Sequence, residues 1–155
     1  MVISIAFILI GISIYYFYSA EQAQIRGLTF GQELQFLQEQ IHDEQTHFIS
    51  SITKWEEGTI SDEEMIEIGK NHINSFKFLL KEYHNLQPPD SFARSVKLFK
   101  LSLEYQIESH EHRVEWIKNG DELELIRFQE LTQLSFEAEQ AGLKSFNDAK
   151  AGIEQ

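Results

Sequence analysis

Glutamates and histidines at helical spacing are the residues of this chain whose types suit metal chemistry. Two Glu-x-x-His motifs occur, Glu39 with His42 and Glu44 with His47. A di-iron site in a helical bundle needs such a motif on each of two helices, with one further glutamate from each of the others. Both motifs here fall on one predicted helix. At about 100° per residue the two histidines lie on opposite flanks, off its apolar stripe. The spacing therefore predicts a solvated acidic face.

His72 and His110 differ, because each lies within the apolar stripe of its own predicted helix. Counted from the nearest turns, their heights differ by about one helical turn, and Gln45 lies near the same level. Such a polar patch could bind a metal or a small ligand, or titrate near neutral pH. More often, buried histidines are hydrogen-bonded core residues. We therefore predict no cofactor and no stoichiometric metal, with His72 and His110 the candidates if a metal is bound.

Other catalytic and nucleic-acid-binding motifs are absent from the sequence. The chain has no cysteine, no glycine-rich phosphate loop and no G-x-S-x-G turn. Its 13 Lys and Arg residues form no patch and its net charge is −12, which disfavours contact with nucleic acid. The sequence thus predicts a protein that is not an enzyme and that binds no nucleic acid.

Four apolar patterns of helical period are separated by turn signals, which predicts an all-α fold. The first helix begins near residue 20 or 30 and ends near Glu57. The second begins at Ser61, whose spacing to Glu64 is that of a capping box, and stops before Pro88-Pro89. Short connections favour antiparallel neighbours, so we expect an up-down-up-down four-helix bundle.

The third and fourth predicted helices are separated by Asn119-Gly120. The third begins near Asp90 or Ser91, and Asp121 with Glu124 can cap the fourth. The fourth helix is rich in small residues, which allow close backbone approach, so we expect a neighbouring helix to pack tightly against it. Its small residues are Ser135, Ala138, Ala141, Gly142, Ser145, Ala149 and Gly152.

A faint internal similarity relates the two helical hairpins. Trp55 precedes Gly58 and an acidic helix start, and Trp116 likewise precedes Gly120 and an acidic helix start. Two copies are too few to define a repeat array. The similarity predicts that both turns lie at one end of the bundle, far from the membrane.

Residues 2–18 contain no charged side chain and end in an aromatic cluster, Tyr15 to Tyr18. Seventeen residues span roughly 26 Å, near the lower bound for a membrane helix. A cleaved signal peptide is the rival, but no basic residue precedes the run and Tyr18-Ser19-Ala20 is a poor cleavage site. We predict a single-pass membrane anchor at 1–20 and an acidic four-helix-bundle domain at 21–155. The lack of a basic juxtamembrane segment favours an extracytoplasmic location for that domain.

Two segments, GLTFGQEL at 27–34 and SVKLFKLS at 95–102, resemble segments of small membrane-anchored helical proteins of archaea. The plan of one anchor and one acidic helical domain is similar to that of the accessory subunits of archaeal ammonia monooxygenase. The resemblance implies a noncatalytic subunit whose partners supply the copper chemistry. It covers the overall plan and assigns no functional residue.

We therefore expect a noncatalytic accessory or structural subunit of a membrane protein complex, in contact with the lipid bilayer and with other integral membrane subunits. The alternative is a membrane-tethered ligand- or metal-binding bundle. Gly11 and Ser13 are small residues suited to packing against another membrane helix. Leu98, Leu101 and Leu134 are predicted to contact a partner. These three belong to a larger set of apolar residues outside the stripes, with Phe36, Phe78, Phe136 and Leu143.

Overall fold

The structure is a computed structural model, and it describes the backbone of residues 2–153 and the side chains of residues 21–152. It is all-α and has no strand among the residues described. The four helices are α1 (Val2–Glu56), α2 (Asp62–Asn85), α3 (Asp90–Asn119) and α4 (Glu122–Ile153). The predicted all-α fold with four helices is confirmed, and the predicted ends of α2 and α3 agree with the structure.

The helix ends follow from local chemistry. Ser61 is the N-cap of α2, and its hydroxyl accepts a hydrogen bond from the Glu64 N–H at 3.2 Å. Gly58 and Gly120 have φ of 73° and 69°, the left-handed conformation that glycine adopts without steric cost. The backbone N–H of Gly120 closes α3 on the Trp116 carbonyl. Both tight turns therefore depend on residues identified in the sequence.

Aromatic contacts at the two ends define the directions of the helices. At one end, the Phe92 ring lies 5.5 Å from that of Phe30 and 5.6 Å from that of Phe146. At the other end, the rings of Trp55 and Trp116 meet edge to face at 5.9 Å. Phe30 precedes Trp55 in α1 and Phe92 precedes Trp116 in α3, so α1 and α3 run in the same direction past each other. Phe146 lies near the end of α4 but beside Phe92, near the start of α3, so α4 runs in the opposite direction. The two glycine turns share one end, as the internal similarity predicts.

The apolar stripes of α1, α2 and α3 form one core, and α4 packs partly buried residues, Phe146 and Ala149, against it. The buried core cluster comprises Phe30, Leu34, Leu37, Ile41, Ile73, Phe76, Leu79, Tyr83, Phe92, Val96, Phe99, Leu103, Ile107 and Val114. Most of these residues belong to the predicted stripes. On α2 the helical spacing predicts Leu80 on the core face, but Leu79 is buried and Leu80 is only half-buried. The core face of α2 is therefore rotated slightly from the predicted one.

Helices α3 and α4 have the most extensive contact of any pair, through a seam of small polar residues. The hydroxyls of Ser102 and Ser135 are 3.0 Å apart, and Ser109 donates to the Phe128 carbonyl at 3.0 Å. A Cβ at Gly142 would meet the Phe99 ring at 2.7 Å. The predicted tight packing of small residues on α4 against a neighbour is confirmed at Ser135, Ala138 and Gly142, which are buried, whereas Ala141 is exposed.

Among the residues whose side chains are described, no helix has a stretch long and apolar enough to cross a membrane. The predicted anchor at residues 2–18, with Gly11 and Ser13, lies outside those residues. The helical backbone of α1 continues through Gly27 and Gly31 without a break.

Candidate functional site

The structure brings His72 and His110 together in the core between α1, α2 and α3. Their ring centroids are 4.9 Å apart, with the planes at 70°. Phe48 of α1 stacks on His72 at 4.1 Å and 3°, and Phe76 lies 4.1 Å from the same ring. The two rings are in contact, as expected for histidines whose predicted heights differ by about one helical turn. Gln45, predicted at this level, is half-buried on α1.

The ring nitrogens of this pair lack the hydrogen bonds that buried histidines usually have. Among the described residues, His72 Nε2 and both nitrogens of His110 have no hydrogen-bond partner. Gln106 Oε1, one turn before His110 on α3, is also unpartnered. His72 Nδ1 lies 4.0 Å from Glu44 Oε2. A neutral imidazole carries one donor and one acceptor, so several hydrogen-bonding positions are left in an apolar core.

Burial sets the protonation of both rings. Desolvation lowers the pKa of His72 to about 4. Desolvation, followed by the charges of His72 and Arg113, lowers the pKa of His110 to about 3. Arg113 lies 3.8 Å from Glu56 and over the Phe128 ring at 5.0 Å. At neutral pH the pair is therefore uncharged, with a cation nearby on α3.

The described part of the chain contains no group of three His, Asp or Glu side chains placed to hold a metal ion. His42 and His47 are exposed on α1, as predicted for a solvated face. His112, on α3, instead pairs with Glu124 of α4. The arrangement at His72 and His110 thus offers two uncharged imidazoles surrounded by aromatic rings, which suits titration rather than ligation of a hard cation.

A second feature is an apolar strip along the outer edge of the α3–α4 seam. Glu108 of α3 pairs with Arg127 of α4 at 3.2 Å on this edge. Leu101 lies seven residues before Glu108, and Leu134 seven residues after Arg127. Seven residues are nearly two full turns, so in antiparallel helices the two leucines flank the same edge at one level. Leu134 is 40% exposed, and Leu101 is half-buried.

Leu98 lies one turn before Leu101 and is also half-buried. Leu98, Leu101 and Leu134 together form what we call the outer strip. Of the three predicted contact residues, Leu134 is exposed, whereas Leu98 and Leu101 are half-buried. Leu101 also lines a groove between α2 and α3, with Tyr83 and His84. The contact with a partner itself stays a prediction.

Two exposed apolar residues on α4 escaped the sequence reading. Leu123 is 71% exposed and Ile126 is 51% exposed. They extend the edge of the outer strip beyond Arg127 towards the glycine turns. The signal was present in the spacing, because Leu123 and Ile126 are three residues apart and both lie off the stripe that contains Leu131.

Comparison with models of protein families, with curated proteins and with solved structures finds no match to this chain.

Proposed function

We propose that this chain is a noncatalytic accessory subunit of a membrane protein complex. Residues 2–18 anchor it in the bilayer, and the acidic helical bundle lies outside the cytoplasm and contacts integral membrane partners. The observation that supports the proposal is the outer strip, in which Leu134 of α4 is 40% exposed and Leu98 and Leu101 of α3 are only half-buried. Single exposed apolar residues are common, whereas an aligned set on one edge is typical of an interface.

The chemistry of the outer strip favours a partner helix as the contacting element. Its leucines form a narrow apolar edge, and the Glu108–Arg127 ion pair lies about two helical turns beyond Leu101 and Leu134. Both members of that pair are about half exposed, so they contribute little to the stability of the bundle. They are free to provide polar contacts at the rim of an interface, where apolar residues form the centre.

The test is copurification from gently solubilised native membranes. Leu134→Glu places a charge at the exposed centre of the outer strip and should release the partner while the bundle stays folded. Phe136→Glu is the matched control, because Phe136 is 55% exposed on the opposite flank of α4. It should leave the partner bound. Leu131→Glu, at a fully buried site, should unfold the bundle and marks what a core substitution does.

Circular dichroism of each variant separates loss of contact from loss of fold. If both Leu134→Glu and Phe136→Glu lost the partner, the interface would not be specific to the outer strip. A native protein that runs as a lone monomer, with nothing copurifying, would rule out the accessory-subunit proposal.

A further inference from the structure

Two neutral imidazoles in an apolar core respond to acid in a way that ordinary core residues cannot. His72 is 5% exposed and His110 is 9% exposed, and their rings meet at 4.9 Å. Phe48 contacts both rings, stacking on His72 and meeting His110 edge to face at 4.8 Å. The pair therefore holds α1, α2 and α3 together at one level while both rings are uncharged.

We propose that the His72–His110 pair is a pH-sensitive switch in the core of the bundle, which acid opens by separating α1 from α2 and α3. Protonation of either ring places a desolvated cation among the rings of Phe48 and Phe76, and protonation of both places two cations side by side. The closed packing excludes the water that would solvate these charges. The charged pair is accommodated when α1 separates from α2 and α3 at the level of Phe48.

The charged groups around the two histidines favour this opening of the bundle in acid. On α1, Glu44 faces His72 at 4.0 Å, but its side chain is 45% exposed, so solvent screens its attraction for a charged ring. On α3, Arg113 repels a proton on His110, and on α2 His72 itself does the same. No charged side chain of α4 acts on either ring in the described part of the chain.

Helix α1 is the element that moves. Among the pairs of helices that touch, α1 with α3 and α1 with α4 have the least extensive contacts, whereas the α3–α4 seam is the most extensive. Opening at Phe48 would leave that seam intact. The switch therefore has two conformations. One is the closed bundle, and in the other the aromatic contacts of α1 with His72 and His110 are lost.

The sign of the pH dependence follows from linkage. In the open form both histidines have an ordinary pKa near 6.5, while in the closed form the pKa is about 4 for His72 and about 3 for His110. Below pH 6.5 the open form binds more protons, so acid favours opening. Taking up one or two protons raises the open population about tenfold to 100-fold for each pH unit well below 6.5. Glu139, whose pKa burial raises, acts in the opposite direction.

The experiment measures hydrogen exchange of the full chain in lipid nanodiscs from pH 7.5 to 5.0, corrected for the intrinsic pH dependence of exchange. Opening around Phe48 should increase at least tenfold between pH 6.5 and 5.0. The double variant His72→Phe with His110→Leu should lose this increase. His42→Gln with His47→Gln, at exposed sites of α1, should retain it. An unchanged acid response in the double variant would overturn the proposal.

A second readout applies to the unaltered protein, so the proposal does not depend on how the double variant folds. Nitrogen-15 spectra of labelled histidines report ring charge directly. In the closed bundle both rings should stay neutral at pH 5.5, and charged rings should appear only with the opening. If the two core rings instead become protonated near pH 6.5 while exchange around Phe48 stays slow, the proposal is wrong.

Discussion

At the scale of single residues, Gly142 shows how closely α3 and α4 approach. A Cβ at this position would lie 2.7 and 2.8 Å from two carbons of the Phe99 ring, and the ring is buried. Phe99 therefore occupies the space of a missing side chain. The close approach is a property of this pair of residues, since a Cβ at Gly152 on the same helix would meet nothing within 4 Å.

We predict that Gly142→Ala destabilises the bundle. Overpacking of a core costs about 1–3 kcal/mol, which exceeds the gain of about 1 kcal/mol from replacing glycine in a helix. Urea unfolding followed by circular dichroism measures the difference. Gly152→Ala, without a steric conflict, should be neutral or slightly stabilising, and adding Phe99→Leu to Gly142→Ala should recover part of the loss. A Gly142→Ala variant more stable than the parent would contradict the described packing.

At the scale of elements, the helix ends depend on a few capping contacts. Ser61 begins α2 by accepting a hydrogen bond from the Glu64 N–H, the backbone half of the predicted capping box. Asp121 begins α4 differently from the prediction. Its side chain accepts from the Leu123 N–H, and the Glu124 carboxylate pairs with His112 across the seam. A contact between helices thus replaces a local one.

Ser61→Ala should lower the free energy of unfolding by about 1 kcal/mol, because the first turn of α2 loses its side-chain acceptor. Ser50→Ala, at an exposed position of α1, should change it by less than about 0.5 kcal/mol. The measurement is the urea concentration at the midpoint of unfolding of each variant. Equal midpoints would show that the Ser61 hydroxyl makes no net contribution to the cap.

Turns and stripes were predictable from the sequence because they depend on local rules. The steric limits of Pro88-Pro89 and the left-handed conformation at Gly120 act within a few residues, so the ends of α2 and α3 were found. The similar heights of His72 and His110, about one helical turn apart, followed from counting residues from the turns at Gly58 and Gly120. What the sequence could not supply was helix rotation. The rotation of each helix about its own axis determines which side chains face the core. It explains why Leu79 is more buried than Leu80 and why Arg113 lies over Phe128.

At the scale of the whole molecule, residues 2–18 determine whether the protein is attached to a membrane. We predict that this segment is retained and anchors the chain. The full chain should stay with membranes in alkaline carbonate, whereas a chain lacking residues 1–20 should be extracted, because residues 2–18 form an uncharged and mostly apolar run. N-terminal sequencing that begins near Ala20 or Glu21 would show cleavage instead. Protection of the C-terminus from an impermeant reagent in intact cells would place the bundle in the cytoplasm.

The serine-lined seam between α3 and α4 has a consequence for the order in which the chain assembles. Contacts between neighbours in sequence form at a small entropic cost of loop closure, so this hairpin is the best candidate for the folding nucleus. Yet it lies in the second half of the chain. During synthesis α1 and α2 leave the ribosome first, and their apolar stripes are only partly covered by each other until α3 has been made. During this interval the apolar side chains of α1 and α2 that pack against α3 in the finished bundle stay exposed to solvent.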